Sequence, residues 1–259
     1  MSYKNQSDLY LEDNISKYPA IELLCKLGFE YISPEDCMAQ RGTLYDVLLK
    51  DILRKQLNAI NQFEFGGIIY KFTADNVEKA IKDLDEPLTD GLVRTSEKIY
   101  NALMLGKSYL EKLADGTSKS FNLKYIDWEH PENNVYHVTE EFSCDSWDKQ
   151  KNARPDIVLF VNGIPLCIFE LKNPADSNAT IADAYEQIHT RYKRDIPHLL
   201  RYCPLSCISD ATINNSKLGT TYTPYEHYYA WKKVNNEDPA AQRGVDQVKT
   251  IVGGVYEPN

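Results

Sequence analysis

Three ionisable residues interrupt two apolar runs in the stretch "RPDIVLFVNGIPLCIFELKNP", residues 154–174: Asp156, Glu170 and Lys172. A buried strand normally excludes charge, because an unpaired ion in a core is costly or shifts its pKa. On a strand, residues two apart share a face, so Glu170 and Lys172 project together. An aspartate facing them from a neighbouring strand completes two carboxylates and an ammonium around one small volume. Two carboxylates with a backbone carbonyl suit Mg²⁺, a hard cation that keeps several waters and favours phosphate oxygens. A lysine beside them can orient or deprotonate a water and stabilise charge on a phosphorane-like transition state. Asp156 and Glu170 as metal ligands with Lys172 as the catalytic amine would hydrolyse a phosphodiester. Glu-x-Lys alone on a strand is commonly a solvated face, and the same three charges would also make a structural ion pair. The aspartate entering one buried strand, with Glu-x-Lys leaving the next, is what singles this stretch out.

The elements that must position these groups are two strands joined at Asn162-Gly163, a strong hairpin signal. If those two residues alone form the loop, Asp156 lies opposite Phe169. Meeting Glu170 requires one more residue, in a longer turn or a bulge, and Pro165 is the natural place because it cannot donate a ladder bond. Upstream, "SKYPAIELLCKLGFEYIS" and "LYDVLLKDILRKQLNAINQF" carry apolar residues at helical spacing, and "ADNVEKAIKDLDE" and "TSEKIYNALMLG" predict shorter helices capped by Ala74 or Asp75 and by Ser/Thr. "KSFNLKYIDW" and "NVYHVTEEFSC" predict strands. "NATIADAYEQIHTRYKRDIPHLL" predicts a helix with its apolar face at 181, 184, 185, 188 and 192, stopped before Pro197, and "RYCPLSCISDAT" a further strand. The expected fold is α/β: a mixed β-sheet flanked by helices, with a helical part over residues 1–115 packed on a core over 116–259.

Composition excludes several classes. Net charge is −9, so bulk electrostatics do not make the chain a nucleic-acid binder, and any such contact needs a local basic patch or bound cations. The N-terminus has no apolar segment of a secretory signal, and no run approaches a membrane span. Six scattered cysteines read as reduced thiols, which points to the cytoplasm. Cys203, Cys207 and His198 lack the second ligand pair of a structural zinc site. Gly106-Lys107-Ser108 lacks the first glycine and the preceding strand of a P-loop, and reads as a helix end with a glycine cap. No Gly-x-Ser-x-Gly elbow occurs.

Pro155-Asp156 followed by Glu170-x-Lys172 resembles the PD-(D/E)xK nuclease motif. With "AYEQIHTRYKRDIPHLL", "CISDA", "GTLYDVLLKDILRKQLNAIN" and "YIDWEHPENNVYHVTEEFSC", the chain closely resembles the N-terminal nuclease region of the restriction (R) subunit of type I restriction-modification enzymes, across nearly its whole length. The resemblance implies a restriction-endonuclease-like core, Mg²⁺ on Asp156 and Glu170, and Lys172 as the catalytic lysine. It also implies a glutamate from an earlier helix, for which Glu22 is the expected position. The family's Gln-x-x-x-Tyr element falls on the helix after the motif, but here Gln187 is followed by Tyr192, one residue further on. Five residues differ by about 140° on a regular α-helix, which aligns Arg191 rather than Tyr192 with Gln187. Gln187, Arg191, Lys193 and Arg194, with Arg201 beyond the helix end, form the expected DNA-contact surface. The implied partners are DNA, the methyltransferase and specificity subunits, and the ATP-driven motor domains of the R subunit. ATP hydrolysis is not expected of this chain, which has no Walker motif. A non-catalytic docking domain and a stand-alone nuclease of the same fold are the alternative readings.

Overall fold

The computed structural model describes residues 17–172, 180–210 and 216–230. In chain order the elements are α1 (Tyr18–Lys26), β1 (Glu30–Tyr31), α2 (Pro34–Arg41), α3 (Lys50–Ile60), β2 (Phe63–Phe65), β3 (Ile68–Tyr70), α4 (Ala74–Leu84), α5 (Leu92–Leu105), β4 (Lys107–Lys112) and β5 (Ser118–Leu123). They continue with β6 (Tyr136–Glu140), β7 (Cys144–Asp145), β8 (Asn152–Ala153), β9 (Ile157–Val161), β10 (Ile164–Leu171), α6 (Ile181–Glu186), a π turn (Gln187–Tyr192), α7 (Lys193–Asp195), α8 (Pro197–Leu200), β11 (Leu205–Ser209) and β12 (Ser216–Thr220).

A six-stranded mixed sheet in the order β1-β6-β9-β10-β11-β12 organises the chain. β1 runs parallel to β6, and β10 parallel to β11, while the other neighbours are antiparallel. Helices cover both faces, which is why β9 and β10 read as continuous apolar runs instead of alternating ones. Ile157, Leu159, Cys167, Phe169 and Leu171 face α1 through Ala20, Ile21 and Leu24. Val158, Phe160, Ile164 and Ile168 face the larger core formed with α3, α4, α5 and α6. The expected α/β fold with a mixed sheet and flanking helices is the one observed.

Details depart from the sequence reading where tertiary contacts outweigh local preference. α5 starts at Leu92, N-capped by Gly91, so Thr95 lies inside the helix and donates its hydroxyl back to the Gly91 carbonyl. α4 is capped from a distance: Glu111 of β4 accepts from the Thr73 amide and hydroxyl and from Asn76. Gly106 ends α5 at φ +71° and β4 follows, the reverse of the strand-then-helix order of a phosphate-binding loop. β5 pairs with β4 in its own hairpin, Leu110 opposite Ser120, which joins residues on both sides of position 115. β12, "SKLGT", was not expected and closes the sheet against β11. No helix among the described residues is long and apolar enough to cross a membrane.

The Asn162-Gly163 turn ties the helical part to the sheet. Both residues have positive φ, +53° and +81°, the conformation that a two-residue hairpin turn demands. The fully buried Asn162 side chain accepts from the Val135 amide and donates to Tyr125 O and Asn134 Oδ1. Gly163 receives the start of α3: Leu49 N donates to its carbonyl at 2.9 Å, and a Cβ there would sit 2.6 Å from Leu49 O.

Candidate active site

The turn is a plain two-residue loop, and the extra residue sits in β10. Ile164 pairs with Val161 and Pro165 with Phe160, but Cys167, not Leu166, pairs with Leu159. Leu166 is the bulge residue beside the proline that cannot donate to the ladder. Past the bulge the register runs Ile168–Val158 and Phe169–Ile157, and one further step sets Glu170 opposite Asp156. Asp156, Glu170 and Lys172 therefore share the face of Val158 and Ile168. The Leu171 amide donates to Asp156 Oδ2 at 2.6 Å and locks the pair in register.

Lys172 Nζ donates to Glu170 Oε1 at 2.7 Å and to Gln187 Oε1 at 3.1 Å. Gln187 Nε2 donates to the Tyr192 hydroxyl at 2.8 Å, and that hydroxyl donates to Glu170 Oε2 at 2.8 Å. The four side chains close a ring. A regular α-helix would have turned Tyr192 away from Gln187; the π turn over Gln187–Tyr192 takes up the extra residue and returns Tyr192 to the same side. Tyr192 is both a core residue, 1% exposed, and a polar member of the cluster. The segment is well anchored: Thr180 and Asp183 form a capping box at the start of α6, and Ile181, Ala184 and Ile188 are buried.

Burial sets the electrostatics. Desolvation pushes the Asp156 carboxyl up to about 6, opposed by the Leu171 amide and Lys172. Glu170 is pushed up to about 8, chiefly by desolvation and then by Asp156, opposed by Lys172 and Tyr192. Tyr192 is raised by burial and by Glu170, so it stays a donor. Burial and mutual repulsion both act against full ionisation of the pair. A divalent cation would offset both. Asp156 Oδ1 accepts from no protein group among the described residues, and each Glu170 oxygen retains a lone pair. Among the described residues no group of three or more His, Cys, Asp or Glu is placed to hold a metal. Two carboxylates on an open cavity fit an ion that keeps much of its own water.

The cavity holding the cluster has a volume of about 470 Å³ and is also lined by Lys17, Glu141, Asn152, Arg154 and Arg191. Glu22 is not among them. Its side chain is 70% exposed and pairs with Lys26 one turn on, so α1 does not bring a carboxylate to the site. The helix instead delivers Lys17, a buried residue with no local signal in the sequence. The expected basic surface also divides. Arg191 lies on the cavity, whereas Arg194 forms a two-pronged ion pair with Asp195. Lys193 donates to His189 Nδ1 and lies over the Tyr222 ring. Arg201 is buried against Asp85 and the Glu86 carbonyl. Cys203 and Cys207 are buried free thiols raised by desolvation.

The α/β sheet thus presents two facing acids and a lysine on one cavity. Residues 9–216 match the family described as "Type I restriction enzyme R protein N terminus", and the chain belongs to it. It is 30% identical over 241 residues to the "Putative type I restriction enzyme MjaIXP endonuclease subunit" of Methanocaldococcus jannaschii, covering 91% of this chain and 22% of that protein. It is 27% identical over 254 residues to the type I restriction enzyme HindI endonuclease subunit of Haemophilus influenzae, covering 96% of this chain and 23% of that protein. The chain thus spans less than a quarter of the length of these relatives.

Proposed function

We propose that the chain is the Mg²⁺-dependent endonuclease domain of a type I restriction R subunit, hydrolysing phosphodiester bonds of DNA. The observation that carries this reading is the bulged register that sets Asp156 across from Glu170, with Lys172 on the same face. Asp156 and Glu170 would hold the ion, which when bound lowers the pKa of water and neutralises phosphate oxygens. Lys172 has two of its three donors engaged by Glu170 and Gln187, leaving one to orient the attacking water or meet the phosphate. Gln187 and Tyr192 hold Lys172 and Glu170 in place. The cytoplasm, methyltransferase and specificity subunits, and the motor domains complete the proposed setting, with DNA sequence read elsewhere.

The test is the R subunit carrying Lys172→Ala or Glu170→Ala in the assembled enzyme. DNA cleavage should fall by at least about a thousandfold while ATP hydrolysis persists. Cleavage that survives both substitutions together overturns the reading.

A further inference from the structure

The half of the cavity away from the π turn carries a second charge constellation. Lys17, 3% exposed, sits 2.8 Å from Glu141 Oε1 and 3.4 Å from Glu140 Oε2. The other Glu141 oxygen pairs with Arg154 Nε. Glu141 reaches this position from a left-handed backbone, φ +50°, with its amide donating to the Asp156 carbonyl. Non-glycine residues hold that conformation at a cost, offset here by contacts on both sides. Arg154 precedes Asp156 by two residues, yet its side chain is 64% exposed, with Nε paired to Glu141. A guanidinium paired through Nε on a largely exposed side chain can present its two Nη groups as a fork. Such a fork binds one phosphate through two parallel hydrogen bonds.

Across the catalytic cluster, Arg191 supplies a second guanidinium on the same cavity with no hydrogen bond or ion pair among the described residues. Lys17, Arg154, Lys172 and Arg191 against Glu141, Asp156 and Glu170 leave the cavity with a positive excess inside an acidic chain. A stabilising ion pair alone would not need one partner mostly in water, since exposed pairs contribute about 0–1 kcal/mol.

Resting on the nuclease reading above, we propose that Arg154 grips the DNA backbone phosphate next to the scissile one, with Glu141 and Lys17 as positioning residues that aim its guanidinium. Arg191 takes the backbone on the opposite side of the cluster.

The experiment is binding of a short labelled DNA duplex to this chain in Ca²⁺, across a salt series, with divalent-ion binding and Tm measured in parallel. Arg154→Ala should weaken DNA binding about tenfold and lower the salt slope by about one, with metal affinity and Tm unchanged. Arg154→Lys should restore the slope but only part of the affinity, because an ammonium keeps the charge and loses the fork. Glu141→Gln should weaken binding about threefold, and nothing further in the Arg154→Ala background. An unchanged slope and affinity in Arg154→Ala overturns the assignment, as does a loss that tracks Tm alone, while leaving the nuclease reading intact. A wild-type chain with no salt-dependent DNA binding, whose parent enzyme cleaves without Glu170 and Lys172, overturns both.

Discussion

At the scale of single residues, the site is a set of carboxyls held where water cannot stabilise their charge. Glu170, 1% exposed and raised to about 8, carries a proton in the metal-free fold that it would shed in the unfolded chain above pH 4.5. The folded state therefore binds more protons than the unfolded state between about pH 4.5 and 8, and metal-free stability falls as pH rises through that window. Glu170→Gln should raise the metal-free Tm at pH 8 by a few degrees, of order 1 kcal/mol, while abolishing divalent-ion binding; a thermal melt with and without Mg²⁺ checks both. The same shift predicts that Mg²⁺ affinity of the wild type climbs from pH 6 to about pH 8 and then levels off, measurable by calorimetry. A flat profile would show that the two carboxyls are already ionised at pH 6. Tyr192→Phe keeps the buried ring but removes the donor to Glu170 Oε2. Its expected cost is about tenfold in cleavage at unchanged Tm, and a loss of stability with no kinetic effect would reduce Tyr192 to a packing residue.

At the scale of elements, two one-residue irregularities align the site. The bulge at Leu166 brings β10 into register with Asp156, and the π turn over Gln187–Tyr192 brings Tyr192 onto the cluster. The bulge falls beside Pro165, which cannot donate to the ladder, whereas the π turn has no such local cause. Each is the way one extra residue is absorbed when the segments on both sides are pinned by burial. The two differ in what deletion should do. Removing the exposed Thr190 would leave Gln187 and Tyr192 four apart, on one face of an ordinary α-helix, with the same flanking anchors. That deletion should keep cleavage within about tenfold and leave Tm unchanged or higher, as followed by plasmid digestion with the R subunit and by circular dichroism of this chain. Loss of cleavage with an intact fold would show that the π geometry itself, beyond the Gln187–Tyr192 contact, is required.

At the scale of the whole molecule, the sheet separates its two faces by task. The face under α1 is entirely apolar in β9 and β10, while the other face ends at the carboxylates. His189 and His198 are lowered by burial to about 4 and stay neutral in the fold. They must charge when the chain unfolds below about pH 6.5, so their contribution to stability is present above that value and fades as pH falls toward 4. The metal-free protein should therefore melt highest near pH 6, between the histidine loss on the acid side and the carboxyl loss on the alkaline side. Added Mg²⁺ should move that optimum upward, because a ligand that binds only the fold adds most where Glu170 is ionised. A Tm that rises steadily to pH 9 without metal would contradict the buried-carboxyl account.

The chain by itself determined the strand pair, the helix after it, and the three residues of the cluster, because alternation, a turn signal and charge in an apolar run are local properties. It also set a geometric condition, that one extra residue must lie between Asp156 and Glu170, and named Pro165 as its place. Tertiary structure decided the rest. Whether the extra residue enlarged the turn or bulged the strand depended on Asn162 and Gly163 being held by Tyr125, Asn134 and Leu49, all distant in sequence. Glu22 looked suitable on an amphipathic helix, yet only docking fixes which end of α1 meets the site, and that end carries Lys17. Five residues on a regular α-helix diverge, which put the place of Tyr192 beside Gln187 in doubt; the π turn, pinned by burial on both sides, brings the two together. Arg154 was visible two residues before Asp156, but its role depends on Glu141 and Lys17, which converge on it from other elements. Local pattern specifies which groups are offered, and long-range burial specifies which of them meet.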